Sequence, residues 1–175
     1  NPTGPPVEDL VRAENHEAEL CPIYTARVIT GVTVGPSPDW LQDRLRAIGQ
    51  VPRNNLVDAT NFVLFELGQP THVFDLDRLE DRSIVIRKAR KKESFIPIGD
   101  DALEVELDPR DLVIADTKRA IAIAGVKGGA ETAVSDSTTD ILVEAATFDR
   151  VAVRNTSRRL GIASDSSYRF ERGVH

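Results

Sequence analysis

From residue 83 to residue 148 the chain breaks into short apolar runs, 83–88, 94–98, 103–107, 111–115, 120–124 and 140–148, each bounded by Gly, Asp, Pro or Lys. Runs this short and this closely punctuated fit strands rather than amphipathic helices. The middle of the chain is therefore committed to β structure, and helices must come from the flanks to cover the sheet faces. Tyr24, Ala26 and Val28 alternate in an extended segment that begins at Cys21. Ser37-Pro38-Asp39 reads as an N-cap, a first-turn proline and an early acid, followed by Trp40, Leu41, Arg44, Leu45 and Ile48 at helical spacing. A second helix is predicted from Asn54 or Asn55 to Leu67, closed by Gly68 with Pro70 beyond, which leaves His72 in the following loop. A third runs over 150–160 after Asp149 and stops at Gly161, and a fourth begins at Ser164-Asp165-Ser166-Ser167 with Asp165 as its cap. The expected fold is α+β, mixed and antiparallel sheets packed with flanking helices. Residues 1–20, with prolines at 2, 5 and 6 and then acidic, are expected to be a linker or loosely docked arm, and 21–175 the domain proper.

With 175 residues, 41% hydrophobic and 29% charged, the chain is long enough for a substantial core. No apolar run approaches the roughly 20 residues of a membrane helix, so no membrane association is expected. Cys21 is the only cysteine, which excludes an internal disulfide and a cysteine-based zinc site and suits a reducing cytoplasm. Among His16, His72 and His175 there is no metal-ligand spacing. A net charge of −6 disfavours nucleic-acid binding over the whole surface, so any RNA contact must be local. Two clusters offer one: Arg87, Lys88, Arg90, Lys91 and Lys92, then Arg154, Arg158 and Arg159. Both also read as ordinary solvated charge. Residue 1 is asparagine, methionine is absent, and the last dozen residues open a helix with little chain left to continue it. The expectation is a segment of a longer polypeptide.

Glu144 interrupts the apolar run Ile141-Leu142-Val143-Glu144-Ala145-Ala146. Either its side faces water, or it is buried and needs a donor or a ligand. Gly125-Val126-Lys127-Gly128-Gly129 is a turn that allows close backbone approach, without the spacing of a phosphate-binding or dinucleotide loop. His72 alone is a loop histidine, and Thr60 and Asn61 are polar points on a helix.

Four ordered blocks carry a resemblance. Val57-Asp58-Ala59-Thr60-Asn61-Phe62-Val63, Gly68-Gln69-Pro70-Thr71-His72-Val73-Phe74-Asp75, Ala124-Gly125-Val126-Lys127-Gly128-Gly129 and Ser164-Asp165-Ser166-Ser167-Tyr168-Arg169-Phe170-Glu171-Arg172-Gly173 resemble, in the same order, motifs of the editing domain in the bacterial phenylalanyl-tRNA synthetase beta subunit. They span most of the chain. The resemblance implies that domain's fold and hydrolysis of tyrosine wrongly esterified to the 3′ end of tRNA(Phe). It implies a pocket in which Glu144 and the Gly125 main chain recognise the tyrosine hydroxyl, to which Thr60 and Asn61 also belong, and in which His72, close to the ester, is the catalytic residue, through substrate positioning or water activation. Ser164 and Ser166 carry over to the pocket, the former in place of threonine and the latter in place of alanine; Lys127 replaces a frequent methionine. No cofactor is implied for the domain itself. ATP and Mg2+ serve the parent synthetase, whose alpha subunit completes an alpha2beta2 assembly. Two rivals stand beside this reading: a non-catalytic structural or RNA-contacting module with a decayed pocket, favoured by Ser166, and a free-standing aminoacyl-tRNA hydrolase.

Overall fold

A computed structural model describes residues 4–99 and 102–174. Three sheets organise it. β2 (Ile23–Thr30), β10 (Asp140–Thr147) and β3 (Thr71–Asp75) form an antiparallel sheet in the order β2-β10-β3. β1 (Arg12–Asn15), β4 (Ser83–Lys88), β7 (Leu112–Ala115), β8 (Ala120–Ile123) and β9 (Lys127–Gly128) form the five-stranded sheet in that order. Its β1–β4 pair is parallel and the remaining pairs are antiparallel. β5 (Ser94–Phe95) and β6 (Val105–Glu106) make a small two-stranded ribbon. The α+β class with mixed and antiparallel sheets is therefore as expected.

Alternation fixes the inward face of β10: Leu142, Glu144 and Ala146 are buried, whereas Val143, Ala145 and Thr147 are half-buried. Every residue of β7 and β8 is buried, which is why these strands read as unbroken apolar runs rather than alternating ones. Phe74, Leu142 and Ala146 from the first sheet share one core with Ile84, Ile86, Ile114 and Ile123 from the second.

The helices cover the flanks. α1 (Asp39–Ala47) packs on α2 (Asn55–Leu67), which in turn packs on β3. Asn54 caps α2 by accepting from the Leu56 and Val57 N–H groups, and Gly68 ends it in the left-handed conformation at φ 75°. At α1 the cap differs from the one predicted. Ser37 makes no cap bond, because its hydroxyl donates to the buried Asp58 carboxylate at 2.5 Å and so ties the entry of α1 to α2. α3 (Arg150–Leu160) keeps its Asp149 cap and Gly161 stop. α4 (Asp165–Phe170) is capped one residue earlier than expected, by Ser164 in a capping box with Ser167. No helix among the described residues is long and apolar enough to cross a membrane.

Other differences have simple causes. Within the stretch read as a linker or arm, Val7–Asp9 form a 3-10 turn and β1 joins the sheet edge beside β4. Only one of β1's four side chains is even half-buried, so no alternation announces it. The runs 94–98 and 103–107 shrink to two residues each, with Pro97, which lacks an N–H, reduced to a single bridge with Gly129. His72, expected in a loop, is the second residue of β3.

Candidate functional site

The register of β10 sets the site. Glu144 lies opposite Ala26 of β2 on one side and opposite His72 of β3 on the other, so these side chains share the inward face. That face meets the β8–β9 turn, and a small cavity of about 60 Å³ lies between them. His72, Gly125, Lys127, Gly128, Glu144, Ser166 and Phe170 are among its walls.

Two glycines make the close packing possible. A Cβ on Gly128 would come within 2.3 Å of His72 Cε1, so the imidazole rests directly on the backbone of β9. Gly125 has φ +69°, and a Cβ there would meet Val153, Phe148 and Phe170 at 2.9–3.1 Å. The aromatic pair Phe148–Phe170, edge-on with centroids 5.0 Å apart, closes this side of the cavity.

Glu144 is 7% exposed, which excludes the water-facing reading. Burial raises its pKa to about 7, opposed by a hydrogen bond in which the Tyr24 hydroxyl donates to Oε2 at 3.0 Å. Among the described residues this is the only hydrogen bond the carboxylate accepts. Burial and the nearby Glu144 push the Tyr24 phenol well above its ordinary pKa and raise the Cys21 thiol to about 12. Burial alone lowers His72 to about 4, so its imidazole is neutral at physiological pH. The His72 ring stands edge-on to Phe74 at 4.4 Å, and its Nε2 is buried with no hydrogen-bond partner among the described residues. An orphaned buried nitrogen opposite a buried carboxylate is a costly arrangement for a merely structural site.

Of the residues singled out in the sequence, the cavity brings together His72, Gly125, Glu144 and Ser166. Ser164, Thr60 and Asn61 are not among its lining residues. Ser164 Oγ accepts from the Ser167 N–H at 3.0 Å and donates to the Val126 carbonyl at 2.7 Å, which fastens α4 to the glycine turn. The Thr60 hydroxyl donates to the Val57 carbonyl within α2, and Asn61 is half-buried on the same helix. Sequence reasoning did not pick out Tyr24 or Gly128 as site residues. For Tyr24 the available signal was its place on the same alternating side as Ala26; for Gly128 it was the paired glycine that follows Lys127.

Residues 20–175 match the B3/4 domain family. The chain belongs to that family. It is 51% identical over 172 residues, 98% of its length, to the phenylalanine-tRNA ligase beta subunit of Moorella thermoacetica, of which it covers 21%. It is 50% identical over 158 residues to the same subunit of Syntrophotalea carbinolica, covering 90% of this chain and 19% of that one. The chain thus spans about a fifth of the length of these curated relatives. Among solved structures, an N-terminal fragment of the phenylalanyl-tRNA synthetase beta subunit from Pyrococcus horikoshii superposes with a TM-score of 0.55 at 14% identity, covering 86% of this chain and 48% of that one. At that identity the superposition shows a shared fold alone. The family match and the curated relatives agree with the resemblance carried by the four sequence blocks.

Proposed function

We propose that this B3/4 domain proofreads phenylalanine-tRNA ligation by hydrolysing tyrosine from mischarged tRNA(Phe). The observation that carries the reading is the buried Glu144 carboxylate in a cavity that also holds the unpartnered Nε2 of His72. Tyrosine differs from phenylalanine by one hydroxyl, which an apolar synthetic pocket excludes only at about a hundredfold for comparable pairs. A second site that requires the hydroxyl reverses the selection. Bound phenylalanine would leave the free oxygen of Glu144 beside an apolar ring edge, whereas tyrosine gives the carboxylate a second donor besides Tyr24.

In this reading a water attacks the ester carbonyl and the 3′ hydroxyl of the tRNA leaves with a proton. Neutral His72 accepts a hydrogen bond from that water or from the adjoining ribose hydroxyl. Its low basicity suits positioning more than outright proton removal. The alpha subunit, ATP and Mg2+ belong to the attachment reaction performed elsewhere in such an enzyme. A second reading, a non-catalytic RNA-contacting module, is favoured by Ser166, whose hydroxyl adds a polar atom to the cavity wall.

Calorimetric binding of free L-tyrosine and L-phenylalanine to the wild type and to Glu144→Ala separates the two. Tyrosine-selective binding that disappears in Glu144→Ala is the expected result. Absence of binding by either amino acid to well-folded wild type favours the second reading.

A further inference from the structure

Tyr24 and Glu144 are 120 residues apart in sequence and meet only through the sheet register. Tyr24 lies opposite Ala146, and Glu144 lies opposite Ala26, so the two form a diagonal pair on the inward face. Diagonal neighbours are about 7–8 Å apart at Cα, within reach of an aromatic side chain. The two small alanines leave the phenol room to lie across the strands. Its hydroxyl reaches one carboxylate oxygen, Oε2, at 3.0 Å, and Oε1 has no partner among the described residues.

We propose that Tyr24 is the positioning residue of this pocket, its hydroxyl holding Glu144 Oε2 so that Oε1 remains to accept from the phenolic hydroxyl of a bound tyrosyl group. This rests on the proofreading reading and adds to it a specificity residue outside the cavity wall. A carboxylate that binds two phenols, one from the fold and one from the substrate, discriminates more sharply than a free one. The internal phenol removes the carboxylate's rotational freedom before the substrate arrives. It also biases the carboxyl towards its accepting form: burial, the larger effect, raises its pKa to about 7, and the hydrogen bond from Tyr24 opposes that rise. The ionisable groups that face Glu144 are Cys21 and Tyr24 from the β2 side, His72 from β3 and Lys127 from the cavity rim on β9. Of these, Tyr24 alone touches the carboxylate among the described residues.

The test is tyrosine binding measured from about pH 5 to pH 9 in the wild type and in Tyr24→Phe, with the Glu144 titration followed by carboxyl 13C NMR in the same samples. In the wild type, tyrosine affinity should rise as Glu144 ionises. In Tyr24→Phe the Glu144 midpoint and the binding midpoint should both move to higher pH. At neutral pH, tyrosine should bind roughly tenfold more weakly while phenylalanine is unaffected. A Tyr24→Phe protein with wild-type titration and wild-type tyrosine affinity overturns the proposal. A wild type that binds no tyrosine, in which Tyr24→Phe nonetheless shifts the Glu144 midpoint, overturns the proofreading reading while leaving the Tyr24–Glu144 link intact. Should Tyr24→Phe fail to fold, 3-fluorotyrosine incorporated at position 24 in a Tyr168→Phe background supplies a stronger donor. There the Glu144 midpoint must move to lower pH, and an unmoved midpoint counts against the proposal.

Discussion

Glu144 and His72 face each other across one strand pair, and burial moves their proton affinities in opposite directions. The carboxyl rises from 4.5 to about 7, so between those values the unfolded chain has released a proton that the folded chain keeps. Stability therefore falls as pH rises through that window, by on the order of 3 kcal/mol in all. The imidazole drops from 6.5 to about 4, so between those values the unfolded chain holds a proton that the folded chain does not. Its contribution is complete above 6.5 and is lost as pH falls towards 4. From 4.5 to 6.5 the two slopes oppose each other and the wild type should be nearly indifferent to pH on their account. Glu144→Gln should expose the His72 slope, with the melting temperature climbing across that interval, and His72→Gln should expose the reverse. Identical pH profiles for the wild type and Glu144→Gln would show that the carboxyl is not buried as described. Of the residues singled out in the sequence, His72, Gly125, Glu144 and Ser166 line the cavity; a glutamate inside an apolar run and a paired-glycine turn are local signals, whereas their joining in one pocket was carried by the resemblance alone. The hydroxyl that holds Glu144 was not visible in the sequence, because it depends on which residue of β2 lies opposite which residue of β10.

Elements with their own punctuation were legible, and elements defined by their neighbours were not. α2 has an asparagine cap and a left-handed glycine stop, both set within a few residues, and its bounds follow from them. β1 carries no such mark, since it is an edge strand whose existence depends on β4, some 70 residues on. α4 lies between these cases: its hydroxyl-rich start was evident, but the cap fell on Ser164 because that side chain serves two partners at once. Ser164 Oγ accepts from its own helix and donates to the Val126 carbonyl in the cavity turn. Ser164→Ala should cost about 1–2 kcal/mol through the lost cap and the lost bond. Because α4 carries Ser166 and Phe170 into the cavity wall, the same change should weaken tyrosine binding, whereas Ser164→Thr should restore both. If Ser164→Ala lowers the melting temperature but leaves the affinity untouched, α4 is a support and not a wall whose position matters.

At the scale of the whole molecule, the two basic clusters separate by what they touch. Arg87 looks in the sequence like one of five cations available for RNA. It instead forms a two-pronged ion pair with Glu93, at 2.6 and 2.8 Å, and the two side chains are 13% and 8% exposed. Burial works to raise the Glu93 pKa. The bonds from Arg87 and from the Arg90 and Ala120 N–H groups outweigh it and hold the carboxyl below its usual range. Arg159 is likewise engaged with the buried Asp111, which also accepts from the Thr156 hydroxyl, and this joins α3 to the start of β7. Lys91, Lys92 and Arg158 are exposed and make no ion pair or side-chain hydrogen bond among the described residues. With a net charge of −6, whatever RNA contact the domain makes must come from such residues. Arg87→Ala should therefore destabilise the fold by about 1–2 kcal/mol, because it removes the charged partner of a half-buried carboxylate and leaves it only the two backbone donors. Lys91→Ala and Lys92→Ala should leave stability within about 0.5 kcal/mol of wild type, and, on the proposed function, each should lower the salt slope of tRNA binding by about 1. The reverse pattern, with Arg87→Ala melting normally and losing only RNA affinity, would mean that the Arg87–Glu93 pair opens in solution. The central cluster would then act as one basic surface.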